Sequence, residues 1–434
     1  MGGLLLNIRK TLDHFFPNLS SDIEKVCEDP RRQNSINYTL TEIVLAAVFM
    51  YMLRHGSRNS VNEDRKSFNY KKNYKLLFGL KLPHMDTVNE VLERLNEEHL
   101  ERLRTVLVKY LLDKRVFHNS KLQGKHFTIA IDGTGVFSYD QEPYPNCPHR
   151  TSKNGKVSYH QPVLEAKLIT SSGFAISIGT EWILNEDGST KQDCEYKACL
   201  RLIAKIKTDY PRLPICLLLD GLYAKHPLIC SILEKGWEYV IVWKDKTFYA
   251  LQDEIFNRRQ TGKIACLQKD ICHNTNKWTS QNYEYCTDSL DLKGVDLYYI
   301  KLIESKHCVT KKDICDTTKF VFMTSLAVTK ANIQELIAAG RLRWKIENEG
   351  FNTQKNGGYG LQHKMNRKNI RAIKNYYLCI QIAHLIEQLH VKSKQFVKTI
   401  DYSIKKVWQY FCSALRLLEH IPIPPPKTKY NYRY

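Results

Sequence analysis

The chain has 434 residues, which predicts two or three domains at about 100–200 residues per domain. Apolar residues make up 43% of the sequence, enough to bury a sizeable core, so a disordered chain is excluded. The 65 Lys and Arg residues exceed the 45 Asp and Glu residues, and the formal net charge of +20 favours a polyanionic partner, above all nucleic acid.

Two further features bear on the compartment. The longest apolar run, from Ile43 to Leu53, is shorter than the roughly 20 residues that a bilayer requires, so no membrane span is expected. Thirteen cysteines are scattered along the chain without a CxxC pair, which favours free thiols. Free thiols indicate a reducing, cytoplasmic compartment.

Residues 1–118 have helical periodicity and are predicted to form a helical region for DNA binding or dimerisation. The first strong helix is Glu42–Leu53, with Thr41 as its predicted N-cap. A second helix starts near Asp86, and a third spans His99–Lys114.

The stretch Arg54–Lys81 is rich in basic and aromatic residues. Two interpretations of it stay open. It is a solvated loop with ordinary surface lysines, or it is a surface that contacts the DNA backbone with aromatic side chains between the cations.

From about residue 119 the pattern changes to alternating strands and helices, which is typical of an α/β sheet with helices on its faces. This segment, 119–244, is predicted to be the first part of an α/β core. The predicted elements are strands His126–Ile131, Val157–Ile169 and Phe174–Ile183, a helix through Ala198–Ile206, strand Pro214–Leu219, helix Pro227–Lys235 and strand Tyr239–Trp243.

The rest of the chain completes this core in sequence order. Residues 245–316 are polar with strand-like runs and are predicted to form an inserted β-rich subdomain. Residues 317–390 would supply the second part of the core, with one more strand and a long helix over Lys330–Lys355. Residues 391–434 are predicted to be helical and to end in an extended basic tail.

Two aspartates share one local context. Asp132 follows the apolar run 129–131, Asp220 follows the apolar run 217–219, and a glycine comes after each. Carboxylates at the carboxyl ends of neighbouring strands meet at one edge of a sheet, where ligands gather in open α/β folds. Carboxylate oxygens suit Mg²⁺. The alternative is that each Asp-Gly pair is an ordinary turn signal.

The predicted long helix carries the third element. Arg343 and Glu347 are four residues apart and therefore share one helical face. Taken alone, this spacing indicates a solvated ion pair. Asp193 and Glu195, at the start of the helix after the third strand, are predicted to favour that helix N-terminus.

The order strand-Asp132, strand-Asp220, helix-Glu347 resembles the RNase H-like catalytic core of DDE transposases from bacterial insertion sequences. The segment RWKIENEGFNTQK is similar to their signature Tyr-x2-Arg-x3-Glu-x6-Lys, and GGYGLQHKM is similar to the stretch that follows in one branch of the family. The resemblance covers roughly residues 124–390. It implies an α/β RNase H-like core, a mixed sheet flanked by helices, with a β-rich insertion and helical N- and C-terminal regions.

Two departures from the signature put the glutamate in question. Gly340 stands at the Tyr position, and the Lys comes one residue late, at Lys355. Glu347 is one residue too far from Lys355 and Glu349 is one too near. Glu347 keeps the register from Arg343, so it is preferred over Glu349.

The resemblance implies the chemistry and the partners. Asp132, Asp220 and Glu347 would hold two Mg²⁺ ions, with Mn²⁺ as a substitute, and the enzyme would cleave transposon ends and join the 3′-OH to target DNA. Arg343 and Lys355 would contact DNA. A homodimer would hold the paired terminal inverted repeats, in the bacterial cytoplasm and associated with the nucleoid, with no membrane partner.

Trp278 in the insertion has two interpretations. It could stack on an extruded base of the DNA, or it could be a structural tryptophan.

Three other functions stay open from the sequence. One is an RNase H-like nuclease or resolvase that cleaves without joining, and another is a domesticated DNA-binding protein. The third is an α/β enzyme unrelated to nucleic acid, for which the sequence offers no phosphate-binding GxGxxG or GxxxxGK loop.

Overall fold

The computed structural model describes the chain except for residues 1, 33, 35, 185–193, 245–246, 275–276, 309–310, 394–403 and 420–434. The predicted contribution of Asp193 and the predicted basic tail lie outside the described residues. Within the described part, no helix combines the length and the apolar character that crossing a membrane requires.

The amino-terminal region consists of helices packed around a buried one, α3. The helices are α1 (Gly2–Phe15), α2 (Leu19–Val26), α3 (Leu40–Met52), α4 (Arg58–Lys66), α5 (Phe68–Phe78), α6 (Met85–Arg94) and α7 (Glu97–Asp113). The predicted N-cap of α3 was wrong, since Thr39 caps the helix and not Thr41. Thr39 and Glu42 form a reciprocal capping box, which requires the three-residue spacing that Thr41 lacks.

The basic-aromatic stretch Arg54–Lys81 is not a loop, because Ser57 and Ser67 cap α4 and α5 within it. Two of its aromatic side chains, Tyr70 and Tyr74, are both 1% exposed, whereas Phe68 is 75% exposed. The two tyrosines therefore belong to the core of the helical region. The loop interpretation is wrong, and the interpretation as a DNA-contact surface stays a prediction to which these tyrosines cannot contribute.

The remaining chain builds one mixed sheet of eleven strands. They are β1 (Phe127–Tyr139), β2 (His149–Thr151), β3 (Val157–Ile169), β4 (Ala175–Trp182), β5 (Ile215–Leu219), β6 (Glu238–Val242), β7 (Ala265–Asn274), β8 (Lys277–Tyr285), β9 (Leu290–Asp291), β10 (Asp296–Cys308) and β11 (Lys311–Thr324). The expectation of a mixed α/β protein with a mixed sheet flanked by helices is confirmed.

The centre of the sheet has a simple topology. Strands β1, β3 and β4 are antiparallel neighbours, whereas β5 runs parallel to β1, and β6 runs parallel to β5. Parallel neighbours need a crossover, which α8 (Glu195–Asp209) provides before β5 and α9 (His226–Glu234) before β6. The carboxyl ends of β5 and β6 therefore lie at the same edge of the sheet.

The segment predicted to be β-rich, residues 245–316, contains β7 to β10, the start of β11 and helix α10 (Tyr249–Gln260). Its strands do not form a sheet of their own. β11 pairs with β6, and β10, β8 and β7 follow in that order. The hydrogen-bonded ladder is thus continuous from the core into this segment.

Side-chain alternation along the strands separates two apolar layers. Ile131 and Leu219 belong to the layer on the α8 and α9 side, whereas Ala130 and Leu218 belong to the layer with Leu336 of α11 (Ile333–Leu342). Successive strand residues point to opposite faces. Residues 132 and 220 lie two positions after Ala130 and Leu218. They therefore point to the same side of the sheet as those two residues, which is the α11 side.

The predicted continuous helix over Lys330–Lys355 was wrong. α11 ends at Leu342, a π-helical turn covers Ile346–Asn352, and α12 is Thr353–Asn356. Gly340 and Gly350 each weaken a regular helix by about 1 kcal/mol relative to Ala. Among the residues described after α12, two further helices follow, α13 (Ile370–Val391) and α14 (Ile404–Leu417).

Candidate active site

Asp132 does not end its strand, contrary to the sequence prediction. β1 continues to Tyr139, and only its first residues pair with β5, with Ala130 opposite Leu218 as the last pair. Two residues further along this register, Asp132 comes opposite Asp220. Neighbouring strands are about 4.8 Å apart, so the sheet itself brings the two aspartates together.

The guanidinium of Arg343 lies between the two aspartates. Its Nη1 is 3.4 Å from Asp132 Oδ2, and its Nη2 is 4.0 Å from Asp220 Oδ1. The side chain is only 7% exposed. Arg343 follows the last residue of α11, so the end of that helix delivers a buried cation to the carboxylates. The simpler interpretation of the four-residue spacing, a solvated pair with Glu347, was wrong.

The two aspartates have different electrostatic surroundings. Burial raises the pKa of Asp132, and the charge of Arg343 only partly opposes this rise. Burial also acts on Asp220, but a 2.8 Å hydrogen bond from Lys244 Nζ and the charges of Lys244 and Arg343 hold its pKa below the ordinary value. Asp220 is therefore the more firmly ionised member of the pair.

Glu195 belongs to the same group of acids, which the sequence analysis missed. A Cβ added at Gly133 would come within 2.7 Å of Glu195 Oε1, so the absent side chain lets the carboxylate approach the strand. Burial raises the pKa of Glu195, and the charges of Asp132 and Asp220 raise it further. The available signal was the glycine, because glycine inside a strand often marks such a close approach.

The two glutamates of the π-helical turn face different partners. The charge of Glu347 contributes to the raised pKa of Asp132. Glu349 instead forms an ion pair with Lys345 at 3.4 Å and acts on the pKa of Lys392. Of the two, Glu347 is the one whose charge acts on Asp132.

The donor atoms of this site suit a hard divalent cation, because all are carboxylate oxygens. Among the described residues, however, no three acidic, His or Cys side chains converge closely enough to form a metal-binding group. The positive charge between Asp132 and Asp220 is supplied by Arg343. The side chains fit Mg²⁺ in chemistry, and the guanidinium has to move before both aspartates can bind one ion.

A cavity of about 530 Å³ adjoins the site on the β6 and β11 side. Asp220, Lys244 and Arg343 line it together with Trp344 and the strand end Thr318–Phe322. Trp344 is 51% exposed, unusual for a side chain of this size, and Arg343 lies 4.5 Å from its ring centre. The cavity thus offers both cations and an exposed aromatic surface to a ligand.

The other two residues predicted to bind DNA lie outside this group. Trp278 on β8 stacks on His307 with the ring centres 4.8 Å apart and the planes at 3°. The strand pairing puts Trp278 at the far end of β10. This end is distant from the part of the sheet in which Phe322 pairs with Val242. Lys355 is half-buried on α12.

A buried lysine, Lys167, packs against the π-helical turn. Lys167 Nζ donates a 2.6 Å hydrogen bond to Gln381 Oε1. A Cβ at Gly350 would come within 3.1 Å of the Lys167 stem, so this glycine lets the turn pack directly on the lysine. Burial lowers the pKa of Lys167 to about 8, although the charge of Glu165 opposes the shift.

Lys167→Met is expected to increase the free energy of unfolding near pH 7, with the advantage shrinking as the pH rises from about 8 to about 10. The folded chain binds fewer protons at Lys167 than the unfolded chain in this window, because the unfolded pKa is about 10.4. Wild-type stability at this group therefore rises with pH. Urea unfolding at several pH values measures the difference. Lys197→Met, an exposed control on α8, should show no such trend.

Models of protein families give no match to the chain, and the curated proteins give none. The function of the site is therefore argued from its own residues.

Proposed function

We propose that the chain is a DDE transposase, which cleaves the ends of a transposon and joins the freed 3′-OH to target DNA. One observation carries this proposal. The parallel pairing of β1 and β5 sets Asp132 opposite Asp220, and Glu347, in the segment after α11, contributes its charge to the raised pKa of Asp132. Strand-Asp, strand-Asp, helix-Glu is the order expected for the RNase H-like core of that family.

The topology supports the same proposal. Three antiparallel strands, β4, β3 and β1, are followed in the sheet by the parallel strands β5 and β6, with helices between them in the chain. We assign this part to an RNase H-like core and assign the β7 to β10 segment to the insertion. The chain would act as a homodimer on paired DNA ends in a bacterial cytoplasm.

Asp132, Asp220 and Glu347 are the residues that would hold two Mg²⁺ ions. When bound, the ions would activate the attacking oxygen and stabilise the leaving oxygen of an in-line displacement at phosphorus. Glu195 adds a further carboxylate beside β1, and burial together with the charges of Asp132 and Asp220 raises its pKa.

The cations of the site have a second role in this proposal. Arg343 and Lys244 neutralise the aspartates in the free protein and line the adjoining cavity. Phosphate oxygens of DNA are strong acceptors for both side chains. DNA entering the cavity would therefore draw Arg343 away from Asp132 and Asp220. The exposed Trp344 would pack against a sugar or base there.

The decisive experiment incubates the purified chain with Mg²⁺ and DNA that carries the inverted repeats flanking its own gene. We expect 3′-OH ends to appear first and joined products to appear afterwards. Cleavage without joining would instead identify a nuclease or resolvase. Salt-sensitive DNA binding with neither reaction would identify a domesticated DNA-binding protein.

Glu347→Gln is expected to reduce cleavage by about 100-fold or more, whereas Glu349→Gln should retain most of the activity. Glu347 contributes charge at Asp132, and Glu349 is engaged with Lys345. Each 1.4 kcal/mol of lost transition-state stabilisation costs about tenfold in rate. The two variants are matched in chemistry and lie in the same turn, so cleavage rates under Mg²⁺ compare them directly. The reverse result would move the assignment to Glu349.

A further inference from the structure

A second cleft lies between the start of α4 and the loop that joins α12 to α13. Its volume is about 530 Å³. The cleft is lined by residues 57–59, by Asn89 and Glu93 of α6, and by residues 363–368 of the loop. Its basic members are Arg58, His363, Lys364, Arg367 and Lys368.

These cations have few acidic partners. Within the residues that the structure describes, Lys364, Arg367 and Lys368 form no ion pair, and Arg58 has only a 3.4 Å contact to the exposed Asp86. Burial lowers the pKa of His363, and the charges of Arg367 and Arg58 lower it further. The cleft therefore has an excess of positive charge, which among the described residues Asp86 and the cleft-lining Glu93 only partly offset.

The loop that presents these cations is held in place by Asn366. Its Nδ2 donates to Asn89 Oδ1 at 3.1 Å and to Glu93 Oε1 at 2.7 Å. Its Oδ1 accepts the backbone N–H groups of Lys368 and Asn369. The only acid that lines the cleft is thus engaged by the loop, and a preorganised loop loses little entropy on binding a ligand.

The cleft lies near the end of the strand that carries Asp132. The Lys364 ammonium is 4.4 Å from the ring centre of Tyr139, the last residue of β1. Because β1 shifts register between Gly135 and Ser138, the segment from Asp132 to Tyr139 spans six residues of β3, about 20 Å at roughly 3.3 Å per residue. Duplex DNA rises about 3.4 Å per base pair, so this distance equals about six base pairs.

We propose that this cleft binds the phosphate backbone of the duplex whose scissile bond lies at Asp132 and Asp220, about six base pairs from that bond. The occupant is a DNA duplex because the cleft groups five basic residues, with Arg367 and Lys368 exposed, beside the last residue of the strand that carries Asp132, which suits an extended polyanion. The inference rests on the proposed function for the location of the scissile bond, but not for the binding itself.

The test is the salt dependence of DNA binding, measured by fluorescence anisotropy with a labelled duplex of about 30 base pairs between about 50 and 200 mM salt. Arg367→Gln/Lys368→Gln removes two cations of the cleft. Lys125→Gln/Arg212→Gln is the matched control, because these exposed residues precede β1 and β5 at the opposite edge of the sheet. All four side chains are exposed, so neither double variant should change the thermal unfolding midpoint.

We expect the cleft variant to bind about 10-fold more weakly near 100 mM salt and to reduce the log–log salt slope by up to about 1.8, since each phosphate contact contributes about 0.9. The control should stay within about twofold of the wild type. A slope in the cleft variant equal to that of the wild type would overturn the proposal. Tighter binding of an RNA duplex of equal length would overturn the choice of DNA.

A separate experiment tests the proposed distance between the cleft and the scissile bond. Neutral methylphosphonate linkages placed one at a time along the end DNA should weaken wild-type binding at about six base pairs from the cleavage site, and should have no effect there in the cleft variant. If the chain binds DNA as described but neither cleaves nor joins it, the proposed function is wrong and DNA binding in the cleft is supported. If the wild type cleaves DNA and the cleft variant has an unchanged salt slope, only the proposal of DNA binding in the cleft is wrong.

Discussion

Asp220→Asn is expected to reduce DNA cleavage and joining by about 1,000-fold or more. A divalent cation at a phosphoryl centre supplies several kcal/mol of charge stabilisation, and each 1.4 kcal/mol is a factor of ten. Asparagine keeps the size of the side chain and can still accept the Leu222 N–H, as Asp220 does at the start of the turn Gly221–Tyr223. The variant therefore removes charge from the site while leaving the local backbone in place.

The measurement is the single-turnover rate of strand cleavage with saturating enzyme, which separates chemistry from DNA affinity. Asp13→Asn serves as the control, because Asp13 is an exposed carboxylate of α1 whose described partner is Arg9. The control should cleave at the wild-type rate. If Asp220→Asn cleaved DNA at the wild-type rate, Asp220 would have no role in the reaction, and the proposed set of metal-binding carboxylates would be wrong.

The aspartates could be predicted from the sequence because their positions depend on local signals. Apolar runs of three residues before Asp132 and Asp220 mark buried strands, and a helical segment between them implies parallel pairing. The prediction that Asp132 ends its strand was wrong, because nothing local reports that β1 continues beyond the last pair with β5. Antiparallel pairing with β3 sustains the extension, and that partner is distant in sequence.

The segment from Glu347 to Lys355 departs from the spacing of the family signature, and the structure gives a reason for the departure. Seven residues separate Glu347 from Lys355, one more than the signature has. A π-helical turn contains one residue more than an α-helical turn, and such a turn covers Ile346–Asn352. The additional residue is therefore absorbed between the glutamate and the lysine. The departure that made the assignment ambiguous in the sequence corresponds to a local change of helix type, which Gly350 and the buried Lys167 accommodate.

Contacts between distant elements were beyond sequence reasoning. Helical spacing alone predicts that Arg343 is an exposed partner of Glu347. In the structure it is buried and contacts the carboxylates of Asp132 and Asp220. Glu195 begins α8 as predicted, but its proximity to Gly133 depends on how α8 packs against the sheet and was not predicted. Both contacts were missed for one reason, since helical and strand periods predict which face a residue occupies but not which element covers that face.

For the same reason, the sequence does not predict the contact that joins the amino-terminal helical region to the segment that follows Glu347. Arg54 Nη2 contacts both carboxylate oxygens of Glu387, at 2.7 and 2.6 Å, and these side chains are only 5% and 4% exposed. Arg54 Nε donates to the carbonyl of Gly357 at 2.9 Å, and the guanidinium lies 3.6 Å from the ring centre of Tyr359. One arginine thus fixes α13 and the loop after α12 to the end of α3.

Arg54→Met is therefore expected to lower the free energy of unfolding by about 3–5 kcal/mol, because it leaves the carboxylate of Glu387 buried without its cation. Arg54→Met/Glu387→Leu should recover part of this loss, since a well-packed apolar pair avoids the cost of an unpaired buried charge. Urea unfolding at pH 7 measures both variants against the wild type. Equal losses in the single and double variants would show that Arg54 acts through Gly357 and Tyr359, and that its charge on Glu387 contributes little.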